Sequence, residues 1–166
     1  ALSTAQLAAL STRQPAALES ADFAALSSAQ ITSLATAQLA AITSAQAAAF
    51  ETADLAALRT DQIRALNTAA VDALSSAQIE ALSPTQVAAM STAQLARLDS
   101  ITPTQLAALT TAQVASLGQA YGATLTTADV AAMSTAQLQL LSTGAISGLD
   151  SADIAALRSA QFDAMS

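Results

Sequence analysis

The chain has 166 residues, a formal net charge of −7, only 10% charged residues, and no histidine, cysteine or tryptophan. Without cysteine there is no disulfide, thiolate metal site or thiol nucleophile, and without histidine the usual general base near neutral pH is missing. Five positive charges scattered through an acidic chain make no basic patch of the kind phosphate backbones require, so nucleic acid is set aside as a partner.

Large apolar residues recur every eighth position from Leu2: Leu10, Leu18, Leu26, Leu34, Ile42, Phe50, Leu58, Leu66, Leu74, Leu82 and Met90. Regular octads therefore occupy residues 2–97. Three extra residues, 98–100, shift the register, and octads resume from Ile101 through residue 164. Call the apolar residue position zero. The fifth residue after it is apolar as well, as in Leu7, Phe23, Ile31 and Ile79. The fourth is Gln or Asp in seventeen of twenty octads, the exceptions being Ala70, Tyr121 and Ala145. The second is Ser or Thr in most, and the sixth accepts Arg64, Asp72, Glu80 and Asp163, which places it towards water.

No straight helix can use this period. Eight residues advance about 800°, so an apolar stripe would drift some 80° per repeat, whereas coiled coils hold register with 7- or 11-residue repeats. The helix must restart in each octad, and the restart signal is present. Pro84 follows Ser83 and Pro103 follows Thr102, and Pro favours the first helical position. The N-cap is therefore the residue after position zero. Ser3, Ser27, Ser75, Ser83, Ser91 and Thr102 are predicted caps, and Gln6, Gln30, Gln78, Gln86, Gln94 and Gln105 stand three residues on as the partners of a capping box. Position zero and the fifth residue then form a hydrophobic staple, such as Leu74 with Ile79. Where the cap position holds Glu19, Ala35, Glu51, Arg59 or Arg158, the hydroxyl of Ser20, Thr36, Thr52, Thr60 or Ser159 is expected to take over the cap one residue later.

The predicted architecture is all-α: one array over residues 1–166, a solenoid of octapeptide repeats, each a very short capped helix. Helices this short are marginal alone, so the partners of each octad are its neighbours in the array. Two octads break the pattern. Residues 117–124 lack the cap, the Gln and the second apolar residue, and 141–148 carry Gly144 and Gly148. Pro15 is a milder departure. The number of octads per superhelical turn does not follow from the repeat. Polar residues recur too often for a membrane span, despite positive mean hydropathy. The chain opens and closes partway through a repeat, as a window from a longer array would.

No residue set carries catalysis, a cofactor or a metal. Asp150 with Asp153, and Glu19 with Asp22, could hold a cation weakly, but read more simply as first-turn carboxylates at helix starts. The serines have no histidine to activate them and read as caps. Thr102-Pro103-Thr104-Gln105-Leu106 looks like the helix opening of some nucleic-acid-binding repeats, which are several times longer. Thr4, Thr12, Thr36, Thr52, Thr60 and Thr68 form a possible surface ladder that could bind ice or another repetitive surface.

The run Leu-Ser-Thr-Ala-Gln-Leu-Ala-Ala-Leu resembles the Ala/Leu/Thr/Gln-rich short-repeat tracts of large bacterial secreted, flagellar or cell-surface, adhesin-type proteins. The resemblance covers nearly the whole chain. It implies a non-enzymatic spacer, stalk or scaffold at the bacterial surface or outside the cell, with the surface-binding module as the alternative.

Overall fold

The computed structural model describes residues 3–11, 13–98, 100–117, 125–139, 141, 146, 149–157 and 161. Among these are seventeen helices of four to six residues, the first fourteen being α1 (Thr4–Ala8), α2 (Arg13–Ala16), α3 (Ser20–Ala24), α4 (Ser28–Thr32), α5 (Thr36–Leu39), α6 (Ser44–Ala48), α7 (Thr52–Ala57), α8 (Thr60–Ala65), α9 (Thr68–Asp72), α10 (Ser76–Glu80), α11 (Pro84–Ala88), α12 (Thr92–Leu95), α13 (Pro103–Ala107) and α14 (Thr111–Ser116). Thr127–Ala132, Thr135–Leu138 and Ser151–Ala156 follow. The protein is an all-α solenoid of short helices.

Each helix starts and stops by the same local chemistry. The N-cap is extended, with ψ near 155–160° in most octads, for example Ser27 at φ −72°, ψ 157° and Ser91 at φ −72°, ψ 158°. The extended cap, joined at Leu58, Leu117, Met133 and Leu157 by an extended position-zero residue, turns the chain into the next helix. At the other end, the position-zero N–H donates to the carbonyl of the fifth residue, as in Leu34 to Ile31, Leu66 to Ile63, Leu82 to Ile79 and Leu109 to Leu106, all at 3.1–3.2 Å. These i→i−3 bonds tighten the last turn and satisfy carbonyls that a short helix would otherwise leave unpaired. No described residue has a positive φ, so the corners need no glycine.

Successive helices wind round, and contact is made with the next turn. α1 packs on α4, α2 on α5, α3 on α6 and α4 on α7, each pair three octads apart. Side chains reach slightly further, to carbonyls 28 and 31 residues back. One superhelical turn therefore holds between three and four octads. The core is one continuous cluster built from position zero and the fifth residue: Ile31, Leu39, Leu55, Ile63 and Leu95 are fully buried, and Leu34, Leu58 and Met90 nearly so. Phe23 and Phe50 meet edge to face across two turns, with centroids 5.2 Å apart.

The segment 98–100 differs from its sequence reading. As three added residues it should lengthen the offsets between turns. They shorten instead: α11 packs on α13 and α12 on α14, two helices on rather than three. Gln105 bonds the carbonyls of Ile79 and Leu82, 26 and 23 residues back, instead of 31 and 28. By the offsets of Gln105, the segment stands in for a whole octad of the circuit. Leu98 is buried like any other position-zero residue.

Candidate functional site

The recurring polar feature is the capping pair. Ser3, Ser27, Ser75, Ser83, Ser91 and Thr102 accept, through the side-chain oxygen, from the backbone N–H of Gln6, Gln30, Gln78, Gln86, Gln94 and Gln105 at 3.2–3.4 Å. Each glutamine Oε1 accepts in return from the cap residue's N–H at 2.7–2.8 Å. Two N–H groups without intrahelical partners are satisfied per octad.

The other half of the glutamine amide has a role that the capping box does not include. From Gln38 onward, Nε2 donates to carbonyls on the preceding turn. Gln38 reaches Leu7 and Leu10 at 3.0 and 2.7 Å, and Gln46 reaches Pro15 and Leu18 at 2.8 and 2.7 Å. Gln86 reaches Leu55 and Leu58 at 2.9 and 2.7 Å, and Gln137 reaches Leu106 and Leu109 at 3.2 and 2.8 Å. One planar amide thus fixes a helix start with its oxygen and stitches two turns with its nitrogen. Burial follows: Gln6 and Gln14, which make no such bond among the described residues, are exposed, whereas Gln38, Gln62, Gln94 and Gln105 are at most 2% exposed. The sequence holds a signal for this role. A capping box accepts Glu as readily as Gln, yet Glu never occurs at the fourth position of the twenty octads. A carboxylate can cap but cannot donate, and Asp, which fills this position at Asp22, Asp54, Asp129 and Asp153, caps at the last three without the amide's second bond.

The exceptions obey the same chemistry. Ala70 has no amide, but Asn67, at the cap, supplies both functions: its Oδ1 accepts from Ala70 N–H at 2.8 Å, and its Nδ2 donates to Ala40 and Ile42 carbonyls at 3.1 and 2.9 Å. Asp54 is buried and cannot donate; Ser28, from the preceding turn, donates its hydroxyl to Asp54 Oδ1 at 2.6 Å, while Glu51 N–H donates to Oδ2. Asp129 takes two bonds from Thr126 on Oδ2, but its buried Oδ1 has no partner. The residue standing to Asp129 as Ser28 stands to Asp54, 26 positions back, is Pro103, which has no donor.

The expected late caps do not form. Glu19, Ala35, Glu51 and Arg59 keep the extended N-cap conformation without a side-chain cap bond, and Ser20, Thr36, Thr52 and Thr60 are already the first helical residues. The reciprocal half of the box holds the start: Gln38 Oε1, Asp54 Oδ2 and Gln62 Oε1 accept from the N–H of Ala35, Glu51 and Arg59 at 2.7–3.1 Å. Arg158 and Ser159 lie outside the described residues.

Thr4, Thr36, Thr52, Thr60 and Thr68 are exposed at first helical positions, and Thr12 lies outside the described residues. Two serines of this column bond to the following turn: Ser28 to Asp54, and the exposed Ser44 to the Ala69 carbonyl at 3.0 Å. Asp150 accepts from Ala152 and Asp153 N–H at 2.7 and 2.9 Å, and Asp153 accepts from Asp150 N–H at 3.1 Å, so this carboxylate pair is engaged in capping. Thr102–Leu106 opens a helix whose Gln105 is a stitch like the others. Arg59 and Asp61 pair on the surface at 3.0 Å, and the guanidinium holds the Asp61 carboxyl below its usual range. An open groove of about 450 Å³ between Ala107, Thr110, Ala132 and Ser134 carries no charged lining residue.

No curated protein and no solved structure matches the chain. A family model described as ALTTAQ repeat matches residues 15–50, 47–84 and 130–166. That hexapeptide occurs letter for letter at residues 108–113, where it spans the helix end, position zero, the N-cap and the stitching Gln113. The unmatched stretch 85–129 contains the octad-replacing segment and the irregular octad 117–124. With most of its length matched in three successive blocks, the chain belongs to the ALTTAQ repeat family.

Proposed function

We propose that this chain is a non-enzymatic structural segment, a spacer, stalk or scaffold carried in a larger bacterial surface or secreted protein, and that residues 1–166 form one continuous array. The observation that carries this reading is the use made of the polar groups. The repeated amides and cap hydroxyls are committed to joining one helix to the next and one turn to the next. A side chain spent on the frame in nearly every repeat is what a length-setting element needs, because each turn rests on the last by the same contacts. The acidity of the chain agrees with the exclusion of nucleic acid, and the bacterial surface location rests on the likeness to Ala/Leu/Thr/Gln-rich tracts.

Small-angle scattering tests the spacer. The 166-residue chain should be compared with a version carrying seven further consensus octads inserted in the regular region. The maximum dimension is expected to grow in proportion to the added octads. Growth only as a compact body of the same residue number would sink the reading. For location, an antibody against the chain should label intact cells of the bacterium that encodes it, and labelling only after lysis would count against a surface role.

A further inference from the structure

We infer that Asp129 and the backbone carbonyls of Leu98 and Ile101 form a calcium site at the octad-replacing segment. The register brings these oxygens together. Gln137 and Gln161 reach carbonyls 31 and 28 residues back, those of Leu106 and Leu109 and those of Val130 and Met133. Asp129 holds the same octad position between them, and its helix, Thr127–Ala132, packs on α13. The same offsets set it opposite Leu98 and Ile101.

What meets there is three acceptors. Asp129 Oδ2 is engaged in the cap, taking the Thr126 N–H at 2.9 Å and the Thr126 hydroxyl at 2.6 Å. Oδ1 is buried, in a residue 5% exposed, and has no partner. Glutamine octads place a donor, Nε2, at this point. Leu98 and Ile101 are 3% and 6% exposed, and no described residue donates to their carbonyls. Asp54 meets the same need with a hydroxyl, since Ser28 donates to its Oδ1. Pro103 closes that route at Asp129.

A buried carboxylate is costly unless its charge is matched. A water molecule brings two protons to three acceptors and no charge. Calcium brings the charge, and it takes carboxylate and carbonyl oxygens in irregular sets at about 2.3–2.6 Å, whereas magnesium demands a near-ideal octahedron. The side chain leaves room for it. One methylene shorter than Gln, Asp stops short of the carbonyls by about 1.5 Å, the length of one carbon–carbon bond. Residue types alone conceal the site, because two of its oxygens belong to the backbone. It goes beyond the spacer reading and does not depend on it.

Thermal melts of the full chain, followed by circular dichroism, test the site. One carboxylate and two carbonyls suit a dissociation constant on the order of 1 mM. From a chelator-treated baseline, about 10 mM calcium chloride should therefore raise the melting temperature by about 3–5 °C. Magnesium chloride and sodium chloride at the same ionic strength should move it by no more than about 1 °C. Asp129→Gln restores the amide stitch, so it should melt above the calcium-free wild type and show no response to calcium. Pro103→Ser keeps the carboxylate but gives Oδ1 a hydroxyl, and should raise the calcium concentration needed for the response at least about tenfold. A wild-type chain with no calcium-specific shift overturns the inference. So does an unchanged response in either variant, which would put calcium on the surface carboxylates instead.

Discussion

Asn67 and Ala70 show that the amide, rather than the glutamine, is what an octad needs. Moving the amide from the N3 side chain to the cap keeps both the cap bond and the two bonds to Ala40 and Ile42 carbonyls. Asn67→Ser keeps a cap oxygen but leaves two carbonyls without a donor, and should cost about 1–3 kcal/mol. Adding Ala70→Gln should restore most of it, and urea melts of the single and double variants will read the rescue; no rescue would mean that Asn67 acts only as a cap. Asp129 offers the converse test. Pro103→Ser supplies the missing hydroxyl, so it should gain about 1–2 kcal/mol relative to the same change made beside Asp129→Ala. A thermodynamic cycle with no coupling would show that Oδ1 is satisfied otherwise. The cap was legible in the sequence because it is local, set by residues three apart. The stitch was not, because the capping box already accounts for Gln, and a bond to a residue 28 positions back leaves no periodic trace. Its one mark was the preference for Gln over any carboxylate, thirteen octads against the four that carry Asp.

Among the elements, each helix is too short to stand alone and is fixed at both ends by neighbours in the chain. The boundary residues were readable from Pro84 and Pro103, and α11 and α13 do begin there. The number of octads per turn was not readable, since near-identical octads fit any stacking register equally well in sequence. For the same reason segment 98–100 looked like an addition, and only the offsets of Gln105 and Gln113 show it replacing an octad. Five consensus residues added there, completing an octad with its own cap and Gln, should preserve helicity and leave the melting temperature unchanged or raised. The same five residues added inside octad 74–81 should lower it by several degrees, because they displace Gln78 from the carbonyls of Ala47 and Phe50. Equal melting temperatures for the two insertions would refute the replacement.

For the whole molecule, cohesion runs through neutral amides and a narrow apolar row. The one described ion pair, Arg59 with Asp61, is more than half exposed and of little consequence to stability. Raising salt from 0.1 to 1 M should therefore move the melting temperature by no more than about 2 °C, short of specific-ion effects; a large fall would reveal hidden electrostatic cohesion. The helix contacts join each turn to its neighbours in the array. Stability is then a sum of like terms, and amide protection should be highest in the central turns and decline towards both ends.

The octad-replacing segment also bears on how such a gene can change. A turn closed by three residues is held by the same amide bonds as a turn closed by eight. Copying errors that add or drop whole repeats then pass through no misfolded intermediate, and length becomes a trait open to drift or selection while the fold stays constant. Natural variants of this chain should differ in length mostly by multiples of eight residues, with the rarer five-residue losses falling on whole-octad positions.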